Sequence, residues 1–246
     1  MSKRQEIRQQ RKKQKIRNQI IVIGLVVVGA LIVAYALILP GLKTTQTASA
    51  TQTAASANQP ISITPQVFNT KVDGRHLGDP NAPIKVVAYE DFRCSACKWY
   101  SQNLEPQVIK NYVETGKVYY SYAIYIVVDH MDGADASYRA ANAALCASAQ
   151  NKFWELHDTL YANQVTESAD LYTDARLVEM AQGIGLDMTS FNKCYQAKKY
   201  AAEVEKDVNE ATSLGVQGTP SIFIDGVYYE DFTNLTNGIE AALEGK

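Results

Sequence analysis

The stretch Ile84-Lys85-Val86-Val87-Ala88-Tyr89-Glu90-Asp91-Phe92-Arg93-Cys94-Ser95-Ala96-Cys97 decides the fold. Its first half is a short β-branched run bounded by Pro83 and an acidic pair, which reads as a buried strand. From Ser95 to Glu114 the pattern becomes helical, closing at Thr115-Gly116. Cys94 therefore falls where a strand ends and a helix begins. There it meets unpaired backbone N–H groups and the positive end of the helix dipole, which favour thiolate over thiol. Cys97 lies one turn on, within bonding reach, and such a pair can pass between dithiol and disulfide through a mixed disulfide.

Working outward, Lys117–Val128 is rich in Tyr, Ile and Val and reads as the next strand, so strand, helix and strand imply a right-handed parallel crossover. A helical stretch follows from about 134 to 214, broken near Gly183-Ile184-Gly185 and at 164–170. Ser221–Asp225 and Val227–Glu230 then flank the hairpin signal Asp225-Gly226, and a last helix is expected over Asn234–Leu243. The expected fold class is α/β, a small sheet with a helical insertion at about 132–214.

Toward the N-terminus, residues 1–19 carry eight basic side chains against Glu6, a net +7, and leave -9 on the remainder of a 246-residue chain whose total is -2. The twenty residues Ile20 to Leu39 hold no charge and span about 30 Å as a helix, the thickness of a bilayer core. The basic tail fixes the orientation, inside at 1–19 and outside beyond Pro40. Beside a membrane span it serves topology and anionic lipid, not nucleic acid. A cleaved leader also pairs a basic stretch with an apolar run, and Ala48-Ser49-Ala50 offers a small-residue site, but leader cores run only about 7–15 residues. The reading is a transmembrane anchor over 20–42, a flexible Thr/Ala/Ser/Gln-rich linker over 43–66 and a folded domain over 67–246.

Cys-x-x-Cys is also half of many zinc sites, but that needs two further ligands at suitable spacing, and Cys146 and Cys194 stand 48 residues apart. No metal is expected. Outside the cytoplasm thiols tend to pair, so a Cys146–Cys194 disulfide pinning two helices of the insert is expected. His76, His130 and His157 read as loop or helix surface. Phe92, Trp99 and Tyr100 flank the cysteines and read either as an apolar peptide groove or as core.

Together with the strand-end Cys-x-x-Cys, the segment Gly215-Val216-Gln217-Gly218-Thr219-Pro220 resembles the thioredoxin superfamily, in which a cis-proline loop faces the redox cysteines. The resemblance narrows to the DsbA-like thiol–disulfide oxidoreductases through Leu77-Gly78-Asp79-Pro80-Asn81-Ala82-Pro83, Asp91-Phe92-Arg93-Cys94 and Phe153-Trp154-Glu155-Leu156-His157. It covers about residues 70–246. It implies a thioredoxin-like fold, Cys94 as exposed nucleophile, Cys97 as buried partner, and Thr219 with Pro220 as the substrate-facing loop.

Ser95-Ala96 stands where the best-known oxidases have Pro-His. The acidic residue often found six positions before the first Cys is Ala88 here, with Glu90 on the same strand face. Glu90 is either a proton relay or a solvated strand-end acid. The expected activity is an extracytoplasmic, membrane-tethered oxidase that introduces disulfides into exported proteins, with the Cys94–Cys97 disulfide as its redox group and no separate cofactor. The resemblance adds a quinone-linked membrane thiol oxidase as recycling partner. A reductase of exported proteins or apocytochromes is the alternative of the same class. A copper metallochaperone is the alternative of another, although no Met or His third ligand lies close in sequence to the pair.

Overall fold

The computed structural model describes residues 60–63, 67–165 and 167–246. The basic tail, the apolar run and most of the linker lie outside the described residues. Among the described residues no helix is long and apolar enough to cross a membrane.

Six strands form one sheet in the order β1-β2-β4-β3-β5-β6: β1 Val72–Asp73, β2 His76–Leu77, β3 Ile84–Glu90, β4 Val118–Ile124, β5 Ser221–Ile224 and β6 Val227–Tyr229. β3 and β4 run parallel over seven residues each, from Ile84 opposite Val118 to Glu90 opposite Ile124, and the other pairings are antiparallel. The parallel crossover expected from the strand–helix–strand order is present. The short strands β1 and β2 were not anticipated, because two-residue strands leave no periodicity to read.

β3 sits at the centre of the sheet and is covered on both faces, which is why its sequence is nearly continuous in apolar residues. Ile84, Val86 and Ala88 join the main core, while Tyr89 packs on the other face with Phe223, Ala211 and Val216. At the β5–β6 hairpin both central residues adopt positive φ, Asp225 at 50° and Gly226 at 80°. Asp-Gly is the dipeptide suited to that turn.

The helix expected over 95–114 is broken into α1 Ser95–Asn103, α2 Glu105–Val108 and a wide π turn at Ile109–Val113. Pro106 explains the break: lacking an N–H, it is accommodated in the first turn of α2 but not inside a continuous helix. The insert comprises α3 Val128–Asp132, α4 Ala136–Ser148, α5 Phe153–Ala162, α6 Asp174–Gly183, α7 Met188–Gln196 and α8 Ala201–Ser213. It thus begins a few residues before the expected 132. After the hairpin comes α9 Leu235–Glu244.

One boundary is corrected. Residues 60–63, placed by composition in the flexible linker, are docked: Ser62 N–H donates to Asn163 Oδ1 at 3.0 Å, Asn163 Nδ2 returns a bond to Ser62 O at 2.8 Å, and Ile61 packs on the core. Asn163, at the end of α5, captures a backbone segment that composition alone leaves unpartnered.

Candidate active site

Cys94 is the N-terminal cap residue of α1 and is partly exposed, whereas Cys97, one turn further, is fully buried. Both are free thiols in this structure. Asp91 builds the junction that places them. Its Oδ1 accepts the Arg93 N–H at 2.8 Å, and its Oδ2 accepts the N–H groups of Val127 and Val128 at 2.9 Å each. The tip of β3 is thereby tied to the start of α3. Arg93 continues the tie, its buried guanidinium donating to Asp129 and to Asp132 at 2.6 Å each. Asp129 in turn accepts the N–H groups of Ser137 and Tyr138 at the start of α4.

A second strap crosses the motif from the loop between α5 and α6. Glu167 Oε1 accepts the Ser95 N–H at 2.9 Å, Lys98 Nζ donates to Gln164 O at 2.5 Å, and Gln164 Nε2 donates to Arg93 O. The sequence gives no sign of these contacts, since a polar loop 66 to 72 residues away does not announce where it lands.

A cis peptide bond joins Thr219 to Pro220, and Thr219 lies against Cys94. The Cys94 thiol donates to Thr219 O at 3.4 Å. Beside this loop lies an open groove of about 450 Å³ whose lining includes Thr219, Pro220, Phe223, Tyr228 and Phe232. Trp99 is 46% exposed and meets Phe232 edge to face at 6.4 Å. Phe92 and Tyr100, which sequence left between groove and core, are at most 2% exposed and belong to the core, so neither lines a peptide groove. Phe92 stacks on Tyr122 at 5.2 Å and its face is closed by the insert residue Tyr161.

The electrostatics of the two thiols diverge. The Cys97 thiol, hydrogen-bonded to the Cys94 sulfur, lowers Cys94 to about 6 from 9.0. The Thr219 side chain and the backbone N–H groups of Ala96 and Cys97 act in the same direction, against the cost of burial. Burial raises Cys97 well above the ordinary thiol range, and the same hydrogen bond and Glu90 add to it.

Glu90 is not a solvated strand-end acid: it is 0% exposed, on the core-facing parity of β3. Burial raises it well above the carboxylate range, opposed by the Tyr161 hydroxyl donating to its Oε2 at 3.1 Å and reinforced by the charge of Cys94. His157, expected on a helix surface, is also fully buried. The signal was present in the spacing Phe153, Leu156, His157, Leu160, Tyr161, which puts His157 within the apolar stripe of α5. Glu105, passed over in the sequence, completes a buried polar cluster, raised to about 8 by burial, with His157 opposing the shift.

Cys146 and Cys194 are joined by a disulfide between α4 and α7, with Cα atoms 5.9 Å apart, and both are buried. It lies within the insert.

Comparison with known proteins agrees with this geometry. The family described as Thioredoxin matches residues 70–242. The "Probable disulfide bond formation protein D" of Bacillus anthracis is 30% identical over 172 residues, covering 68% of this chain and 77% of that one. The "Disulfide bond formation protein D" of Bacillus subtilis is 25% identical over 174 residues, covering 69% and 77%. Among solved structures, oxidised BdbD from Bacillus subtilis superposes with a TM-score of 0.62 at 23% identity, over 76% of this chain and all of that one. Oxidised DsbA from Mycobacterium tuberculosis gives 0.57 at 27% identity, over 69% and 92%. A strand-end Cys-x-x-Cys opposite a Thr-Pro loop, a stapled helical insert and these relatives place the chain in the thioredoxin family, among the DsbA-like protein thiol–disulfide oxidoreductases.

Proposed function

We propose that this enzyme works as an oxidase outside the cytoplasm, held to the membrane by residues 20–42, and introduces disulfides into exported proteins through Cys94 and Cys97. The observation that carries the direction is the divergence of the two thiols: a Cys94 thiolate held at about 6 stabilises the reduced form, and a stabilised reduced form makes the disulfide an electron acceptor.

In the oxidised enzyme a substrate thiolate attacks Cys94 Sγ. A new S–S bond forms to the substrate, the Cys94–Cys97 bond breaks, and the electron pair leaves on Cys97. Cys97, buried, must take a proton. Glu90, which burial raises well above the carboxylate range and whose charge raises Cys97, is the relay that supplies it. A second substrate thiolate then attacks its own mixed-disulfide sulfur and expels Cys94 as a thiolate. The substrate has lost two electrons and the enzyme has gained them. The groove beside Thr219 and Pro220, with Trp99 at its rim, receives the extended substrate. A quinone-linked membrane thiol oxidase reoxidises the pair, and the tether of 43–59 keeps the domain near it.

The test uses oxidised full-length protein with a reduced, unfolded substrate protein while disulfides are counted. Faster disulfide formation than with Cys94→Ala supports the oxidase. A reduction potential near roughly -270 mV, that of thioredoxin, would instead make it a reductase.

A further inference from the structure

Glu90 at the end of β3, Glu105 at the start of α2 and His157 in α5 each bring a ligand-capable atom within 4.8 Å of the others. All three are 0% exposed. Each also retains one buried polar atom without a hydrogen-bond partner: Glu90 Oε1, Glu105 Oε2 and His157 Nε2. Native interiors rarely leave one such atom unpaired, and here three residues do so around one point.

The opposite atom of each group is anchored from outside the cluster. Tyr161 donates to Glu90 Oε2 at 3.1 Å, Tyr120 donates to Glu105 Oε1 at 2.9 Å, and His157 Nδ1 lies 2.9 Å from Asp158 Oδ1. An imidazole whose Nδ1–H is held by a carboxylate presents a lone pair at Nε2. Carboxylates held at one oxygen present the other. That is how metal ligands are oriented by their surroundings. His157 Nε2 and Glu105 Oε2 are 3.7 Å apart, too long for a hydrogen bond and close to the separation of two ligands on one ion.

We propose that Glu90, Glu105 and His157 form a buried binding site for a divalent first-row metal ion. Two carboxylates and one imidazole match the charge of a 2+ ion, and the Asp158 carboxylate, 7% exposed, holds the imidazole from outside the ligand set. A mixed nitrogen and oxygen set suits Zn²⁺ or Mn²⁺ better than Ca²⁺ or Mg²⁺. Bond lengths of about 2.0–2.2 Å need each ligand atom to move inward by less than about 1 Å. The ion joins β3, α2 and α5, so its role is structural. It also holds Glu90 as a carboxylate, so Glu90 relays a proton to Cys97 only while the site is empty. The site itself does not depend on the direction of the thiol chemistry.

The experiment expresses the full-length protein in medium supplemented with Zn²⁺ or Mn²⁺, purifies it in detergent and measures metal by mass spectrometry. Cys94→Ala/Cys97→Ala removes the thiol pair as a competing site, and Glu105→Gln removes one ligand at constant volume. The expected result is roughly one ion per chain in wild type and in the Cys double variant, an all-N/O shell in X-ray absorption, and loss of the ion in Glu105→Gln. Metal absent above trace from wild type overturns the site, as does metal that follows the cysteines. In either case the three atoms share only a buried water. The wild-type and Cys-variant measurements decide the matter even if Glu105→Gln fails to fold.

Discussion

The sulfur of Cys94 lies 3.4 Å from the carbonyl oxygen of Thr219, although 125 residues separate them in the chain. The sheet itself makes this approach: β5 pairs with β3, and Ser221, just after Pro220, lies opposite Tyr89, five residues before Cys94.

Cys94 should titrate with a midpoint near 6, followed by thiolate absorbance or by alkylation rate against pH. Cys97→Ala, which removes the largest cause of the lowering, should move that midpoint up toward the ordinary value of 9.0. The stability of the reduced protein follows the same group. A depressed thiol contributes stability that is fully present above the unfolded value near 9 and is lost as pH falls through about 6. The melting temperature of reduced wild type minus that of Cys94→Ala should shrink over that window.

Arg93→Met should destabilise the fold by about 3–5 kcal/mol, because it leaves Asp129 buried without its cation. Denaturant unfolding measures it. Because Arg93 ties the tip of β3 to α3, and through Asp129 to α4, its loss should also slow the thiol exchange of Cys94 in the fraction that remains folded.

Replacing both Cys146 and Cys194 by Ala removes a cross-link of sequence separation 48, which corresponds to about 4 kcal/mol by chain entropy. The denaturant midpoint should fall accordingly, while the Cys94 titration stays where it was. Thiol counting on the unfolded, unreduced protein should find no staple thiols free.

Trp99→Ala and Phe92→Ala, seven residues apart, should behave oppositely. Trp99 is 46% exposed and its loss should weaken peptide binding, seen as a raised KM, with little change in stability. Phe92 is 2% exposed, and truncating it should cost about 3–5 kcal/mol of folding free energy.

The strand–Cys-x-x-Cys–helix junction, the parallel crossover and the Asp225-Gly226 hairpin were legible because each is a local pattern with a local cause. The buried polar cluster was half legible. His157 follows Phe153 by four residues on an apolar stripe, and Glu90 shares strand parity with Ile84, Val86 and Ala88, so periodicity already pointed both inward. What periodicity does not say is that a core will accept them: Asp158 is the neighbour of His157, but Tyr161 reaches Glu90 and Tyr120 reaches Glu105 from other elements. Glu105 gave no sign beyond its place before Pro106. Nor did composition show Ser62 pairing with Asn163, for a tether and a docked segment read alike until the partner is known.

The bonds that shape the redox turn come largely from the insert: Asp129 and Asp132 hold Arg93, Gln164 holds its carbonyl, and Glu167 holds Ser95. The insert is thus no detachable module laid over a thioredoxin unit that would stand without it. Cutting the chain back to the sheet with α1, α2 and α9 would remove the insert's share of the scaffolding of the Cys94 turn. Transplanting Cys94–Cys97 onto a minimal thioredoxin would carry over the local causes of the Cys94 shift and lose the insert bonds that hold the turn.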